Sequence, residues 1–265
     1  MLYPYTDDYL DDKDVSRDEK LSFSNRFRLR LLGENVLAQN EREDKIFRLV
    51  SFIENDWPRD VFPKVFESLV GIHDAQTRSI GMVNREHLSN NELMSICIDK
   101  GGTSVLADGY LLKGDLTRDE EMFCFGFGVY LQYVDDIQDL KEDINGQVKT
   151  IFTKAVEEGC IDEYINKTIS FGYRLMHRYL KVFTSSNTSV MKGLMLKSVH
   201  YLLIEAVCLN AGYMSDSCLC EYEKYAPFRF DFIREKRDKM KKDRISSRNF
   251  LKKYFKKETE YAFEA

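Results

Sequence analysis

The chain has 265 residues, 43% apolar and 31% charged, with only 14 Gly and 4 Pro, which excludes collagen-like and low-complexity disordered classes and allows a substantial core. Its net charge of −5 hides an asymmetry: from Lys224 to Lys257, 14 Lys and Arg stand against 4 Asp and Glu, leaving the rest of the chain at −15. No run approaches the roughly 18 to 20 apolar residues of a spanning helix, and Met1-Leu2-Tyr3-Pro4 opens into aspartates instead of a basic, apolar signal, so a cytoplasmic location is expected.

Six cysteines, Cys97, Cys124, Cys160, Cys208, Cys218 and Cys220, lie in apolar segments or too close together for zinc spacing, and are read as reduced packing residues. With no internal repeat and no Ser/Pro/Gly linker, a single domain over 1–265 is expected. Apolar residues recur at three- and four-residue spacing without a sustained period of two, so the predicted fold is all-α, a helical bundle.

In chain order, the first feature is acidic. Tyr5-Thr6-Asp7-Asp8-Tyr9-Leu10-Asp11-Asp12 places Asp7, Asp8, Asp11 and Asp12 on one face of a helix. Like charges so spaced repel by a few tenths of a kcal/mol per pair and ask for a cation. Trp57-Pro58, after Asn55 and Asp56, predicts a helix start, with Phe62, Val65, Phe66, Leu69, Ile72 and Ile80 as its apolar side. That segment carries His73-Asp74, the HD pair of metal phosphohydrolases in miniature. Only His87, His177 and His200 remain to complete such a site, so His73, Gln76 and Arg78 are expected in helix packing or on a cavity wall. Ser89-Asn90-Asn91-Glu92 is a capping box. Lys100-Gly101-Gly102-Thr103-Ser104 follows inside a helical pattern, where paired glycines predict either a break or a close approach to the backbone.

Thr117-Arg118-Asp119-Glu120 is a second box, opening a helix expected to run to about Asp143 and end at Asn145-Gly146. Near its end the chain reads Gln132-Tyr133-Val134-Asp135-Asp136-Ile137-Gln138-Asp139-Leu140-Lys141-Glu142-Asp143. Asp135, Asp139 and Glu142 or Asp143 recur at helical spacing over about 12 Å. An apolar helix with an acidic end suits a cavity mouth, and hard carboxylate oxygens suit Mg²⁺ together with phosphates. Helices follow at about 160–183 and 188–213. In the first, Phe171, Tyr173, Met176, His177, Arg178 and Tyr179 fit a cavity wall or a core equally well. In the second, Glu205 and Asn210 need internal partners or a polar pocket end. The basic tail, about 224–265, interleaves acids and aromatics at helical spacing. This predicts a solvated amphipathic helix rather than a nucleic-acid surface, with contact to anionic lipid left open.

Gly128-Val129-Tyr130-Leu131-Gln132-Tyr133-Val134-Asp135-Asp136-Ile137-Gln138-Asp139 resembles the second aspartate-rich motif of the trans-prenyltransferases, GxxFQxxDDxxD, with Leu131 in place of Phe. Asp7-Asp8-Tyr9-Leu10-Asp11 resembles the first, DDxxD, and Lys100-Gly101-Gly102-Thr103 resembles the family's phosphate-binding lysine at a helix break. Asp139-Leu140-Lys141-Glu142-Asp143-Ile144-Asn145-Gly146-Gln147 with Thr150 is also similar to squalene and phytoene synthase relatives.

The resemblance to class I isoprenoid synthases implies a helical bundle with a central cavity, Mg²⁺ between two acidic walls, and ionisation of an allylic prenyl diphosphate followed by coupling or cyclisation. It implies Asp7, Asp8 and Asp11 as catalytic acids of the first wall and Asp135, Asp136 and Asp139 of the second, with Asp7, Asp8, Asp11, Asp135 and Asp139 as metal ligands. Lys100, Arg17, Gln132, His73 and Gln76 are the implied substrate contacts, and Asp12, Glu142 and Asp143 lie behind the ligands. Separately, the aromatic run Tyr225, Phe228, Phe230, Phe232 and Ile233 ahead of the basic run predicts a segment closing over the bundle, with Arg229 or Arg234 near the diphosphate. The first motif is followed by Ser16-Arg17 where elongating members carry two arginines, which favours cyclisation or coupling over elongation. It also begins at residue 7, so the expectation is that the family's N-terminal helices are lacking. The alternative is a non-catalytic relative that binds a lipid or a partner. A homodimer is compatible with either reading.

Overall fold

The computed structural model describes residues 15–82, 88–179 and 188–237 together with 6, 9, 12 and 239; the side chains of 80–82 and 188–192 are outside the description. Among the described residues the chain is helical without strands, as the periodicity predicts. Contacts divide it into two compact units, Met1–Gly193 and Leu194–Ala265.

The first unit opens with α1 (Arg17–Leu31), started by Ser16, whose hydroxyl accepts the Glu19 N–H while Glu19 reaches back to the Ser16 N–H. Helix α2 (Glu41–Asp56) is capped by Asn40. Its Glu43 is fully buried and answered by the Arg26 guanidinium and the Gln39 N–H. Helix α3 (Pro63–Met82) starts five residues later than Pro58. Asn55 and Asp56 close α2, and Trp57-Pro58 belongs to a turn in which the N–H groups of Val61 and Phe62 donate to the Pro58 carbonyl. Pro63 takes the first helical position, where its missing N–H costs nothing. Phe23, Phe27 and Leu31 of α1 pack with Ile46 and Val50 of α2 and Leu69 of α3 in one core.

Both predicted capping boxes start helices, α4 (Asn90–Lys113) from Ser89 and α5 (Arg118–Gln138) from Thr117. Gly114 ends α4 in the left-handed region, φ 78°, against the Trp57 ring, and the Trp57 indole N–H donates to the Leu111 carbonyl at 3.1 Å. At Gly101-Gly102 the predicted break is absent: α4 runs straight through. The glycines serve the other purpose, close approach. A Cβ on Gly101 would lie 2.5 Å from the Gly128 carbonyl oxygen of α5, and one on Gly128 would strike the Gly101 carbonyl oxygen. A Cβ on Gly102 would lie 2.5 Å from the Phe125 ring.

The helix expected to reach Asp143 is instead two. Helix α5 closes at Asp139 (φ −90°, ψ 2°) and α6 (Leu140–Gly146) begins there. Helix α6 ends as expected at Gly146, although the left-handed residue is Gln147, and the Val148 and Gln147 N–H groups bond the Asp143 and Ile144 carbonyls. A short helix unforeseen in the sequence, α7 (Ile151–Glu157), is capped by Thr150, and α8 (Ile161–Tyr179) follows. Gly172 of α8 lies against the Tyr130 ring and Gly126 of α5 against Leu175, so α8 packs on α5 as α4 does.

Helix α9 (Thr188–Leu209) enters the second unit and ends in a 3₁₀ turn, Ala211–Tyr213, four residues short of the expected limit; Ser215 then caps α10 (Asp216–Tyr225). Within this unit Leu203, Ile204, Val207, Tyr222, Phe230 and Ile233 are buried. The two polar side chains that required partners have them: Glu205 pairs with Arg237 at 3.4 Å, and Asn210 donates to the Ala206 carbonyl. Arg234 bonds the Cys208 carbonyl and Asp231. Among the described residues, no helix is long and apolar enough to cross a membrane.

Candidate active site

Gln132, Asp135, Asp136 and Asp139 all fall in the last two turns of α5 and its cap. The close crossing of α4 over α5 brings Lys100 to the same place, since Gly101 rests on Gly128 and Gln132. The result is a cleft of about 220 Å³ bordered by Cys97 and Lys100 of α4, Gln132, Asp135 and Asp136 of α5, Asp139, Asp143 of α6, the 148–150 loop with Lys149, and Ile151 at the start of α7. Five residues chosen from the sequence thus meet, and Asp143, expected behind them, also lines the cleft.

The two adjacent aspartates differ in role. Asp135 and Asp139 are exposed, whereas Asp136 turns inward, where its carboxylate accepts the Gln132 amide N–H at 2.8 Å and the Cys97 thiol at 3.5 Å. Burial raises Asp136 from the ordinary 3.8 to about 6 against the opposing bonds from Gln132 and Cys97 and the charge of Lys100. Asp143 is likewise raised to about 6, first by burial and then by the charges of Asp139 and Asp135, with Lys100 opposing. Burial and the Asp136 charge push the Cys97 thiol far up, which favours its neutral, hydrogen-bond-donating form. Negative charge in this cleft exceeds what Lys100 and Lys149 can neutralise. Among the described residues no three His, Cys, Asp or Glu side chains converge on one point that could hold an ion.

The sign of the pH effect follows. Well below pH 4 both aspartates are protonated folded and unfolded, and carry no penalty; as pH rises through about 4 to 6 the unfolded chain ionises first, so stability falls; well above 6 the penalty is complete. Asp136→Asn is therefore expected to gain about 1 to 3 kcal/mol at pH 7 and little at pH 3.5, from about 1.4 kcal/mol per tenfold shift in proton affinity. Urea midpoints at the two pH values measure it. Equal gains at both would show that ionisation of Asp136 is not the cause.

Beside the cleft, along the adjoining face of α5, lies a larger cavity of about 840 Å³, walled by Ile98 of α4, Phe125, Val129 and Tyr133 of α5, Phe152 of α7 and Phe171 of α8. Ile151 borders both spaces, and the neighbours Gln132 and Tyr133 face one each. Of the α8 residues with two readings in the sequence, Phe171, Arg178 and Tyr179 line this cavity. Met176 is buried, and Tyr173 and His177 are exposed and face each other with ring centroids 4.3 Å apart. Sequence reasoning missed Met94, Met122, Lys167 and Arg174 on its border; the Lys167–Phe171–Arg174–Arg178 spacing was the available signal.

Other expected site residues lie elsewhere. His73 is buried between α1 and α3, 3.0 Å from the Ser24 carbonyl and 3.1 Å from its hydroxyl, with its ring edge-on to Phe27. Burial lowers its proton affinity. It is a packing histidine, away from both cavities. Its neighbour Asp74 pairs with Arg28 at 2.7 Å. Gln76 is half-buried on α3 and borders neither space, and Arg17 is exposed at the start of α1. Asp12 pairs with Arg42 at 2.8 Å, and Glu142 is exposed outside the cleft wall. Asp7, Asp8 and Asp11, the whole first acidic motif, lie outside the described residues, as do His87 and most of the basic tail. Comparison with protein-family models, curated proteins and solved structures returns no match.

Proposed function

We propose that this protein is a Mg²⁺-dependent class I isoprenoid synthase, ionising an allylic prenyl diphosphate and directing the cation into coupling or cyclisation. The observation that carries this reading is the pairing of an acidic, lysine-bearing cleft with a large apolar cavity along one helix, α5. A prenyl diphosphate has the same two parts, a highly charged head and an apolar chain.

The donor set suits the ion. Mg²⁺ takes one or two carboxylates together with phosphate oxygens, so Asp135 and Asp139 suffice without a closed cage. Four carboxylates, Asp135, Asp136, Asp139 and Asp143, border the cleft against Lys100 and Lys149, which leaves it short of positive charge. When bound, the ion supplies neutralisation of the departing diphosphate. Lys100 adds a second positive charge on the facing helix, while Gln132 and Cys97 fix Asp136 and keep the end of α5 oriented. Phe125, Tyr133 and Phe171 offer aromatic faces to a developing carbocation and, with Val129 and Phe152, exclude water from it.

The test is diphosphate release from geranyl, farnesyl and geranylgeranyl diphosphates, with and without Mg²⁺ and isopentenyl diphosphate. Release that requires Mg²⁺ supports the reading, and dependence on isopentenyl diphosphate sorts elongation from cyclisation or coupling. The second reading, a lipid-binding relative without catalysis, is favoured by the size of the apolar cavity alone. Saturable binding with no release under any condition would select it.

A further inference from the structure

The described side chains bordering the 840 Å³ cavity include three cations and no carboxylate. All three cations come from α8: Lys167, Arg174 and Arg178 share a row with Phe171, and all three are exposed, so they stand at the mouth. Lys167 is answered by Glu163 at 2.6 Å. Arg174 spends its Nε–H on the Ser170 carbonyl of its own helix at 3.2 Å, and Arg178 lies 5.3 Å from the Tyr179 ring centroid. Among the described residues neither guanidinium meets a carboxylate. Two arginines four apart repel each other, and here they do so beside a large apolar space.

We propose that this mouth binds a single-chain amphiphile with a phosphate monoester head, its chain in the cavity and its phosphate between Arg174 and Arg178. Charge decides the head group. With Lys167 neutralised by Glu163, two positive charges remain, and a phosphate monoester carries about −1.5 to −2 at pH 7. A carboxylate leaves one charge unanswered, and a zwitterionic head brings a further cation to the arginines. The planar forks of Arg also match phosphate oxygens in pairs. An apolar protein segment could fill the cavity but would leave both guanidiniums unmet. The site goes beyond the prenyl diphosphate reading: it needs no metal and uses none of the cleft aspartates.

The test uses the full chain in EDTA and equilibrium binding of radiolabelled oleoyl lysophosphatidate below its micelle threshold, with oleate and oleoyl lysophosphatidylcholine as competitors. Lysophosphatidate is expected to bind at least about tenfold more tightly than either competitor, the size of one charge-assisted contact. Arg174→Gln/Arg178→Gln is expected to weaken it by at least about tenfold while changing lysophosphatidylcholine by less than about twofold. Both arginines are exposed, and an unchanged circular dichroism melt confirms folding. Asp135→Asn/Asp139→Asn is expected to leave the affinity intact, whatever it does to diphosphate release. Equal affinity for all three lipids, no saturable binding, or a loss caused by the aspartate variant in place of the arginine variant would each overturn the proposal.

Discussion

Gly128→Ala is expected to lower the unfolding free energy by about 3 kcal/mol or more, at the upper end of overpacking costs. The added methyl would meet the Gly101 carbonyl oxygen of α4 and the Val105 side chain at 3.1 Å. A backbone carbonyl cannot rotate away without breaking helical hydrogen bonds, so α4 and α5 must separate, and the separation opens the core on both sides. Gly102→Ala is a graded comparison. Its methyl meets the Phe125 ring, a side chain with the cavity beside it, so a smaller loss of about 1 kcal/mol is expected. Gly193→Ala, on α9 with nothing within 4 Å, is expected to stabilise by up to about 1 kcal/mol through helix propensity. Urea midpoints at constant slope rank the three. Wild-type stability for Gly128→Ala would contradict the close crossing.

The second large effect concerns chemistry. Asp135→Asn/Asp139→Asn is expected to reduce Mg²⁺-dependent diphosphate release by about a thousandfold or more, since a lost charge-stabilising group in a preorganised site costs about a hundred- to a thousandfold. Both side chains are exposed at the cleft and add to its negative charge. Their neutralisation should leave the thermal midpoint unchanged or slightly raised, which separates a catalytic loss from a folding loss. Lys100→Met should reduce release by about a hundredfold and behave oppositely in stability. Lys100 opposes the rise in proton affinity of both Asp136 and Asp143, so its removal extends the fall in stability to higher pH and deepens it, while the onset, set by the unfolded chain, stays in place. Retention of full activity in the double aspartate variant would sink the assignment of these residues.

The parts legible in the sequence are those encoded locally. Ser89 with Glu92 and Thr117 with Glu120 lie within one turn, and the caps they predict are the caps observed. The aspartate row survives the bend at Asp139 because α6 begins at once, leaving Asp135, Asp139 and Asp143 on one cleft. Glycine pairs were ambiguous for a physical reason: lack of a Cβ serves both a broken helix and a close neighbour, and only Gly128, 27 residues from Gly101, decides between them. His73 was ambiguous in the same way, since its partner Ser24 is distant in sequence. Helix α7 has seven residues, too few to display a period. The wall of the large cavity was hidden because aromatic residues at helical spacing satisfy a core and a cavity equally.

The seating of Trp57 carries one more consequence. It is the chain's only tryptophan, T-shaped against Phe62 with ring centroids 4.9 Å apart and hydrogen-bonded to the last turn of α4. Any loosening of that turn changes the surroundings of the indole and so the colour and intensity of its emission. Leu194–Ala265 holds no second indole, so its melting leaves no direct trace in that signal while it still alters the far-ultraviolet dichroism. Built into the chain is therefore an optical label for the larger unit, the one that carries Lys100 and the aspartate row.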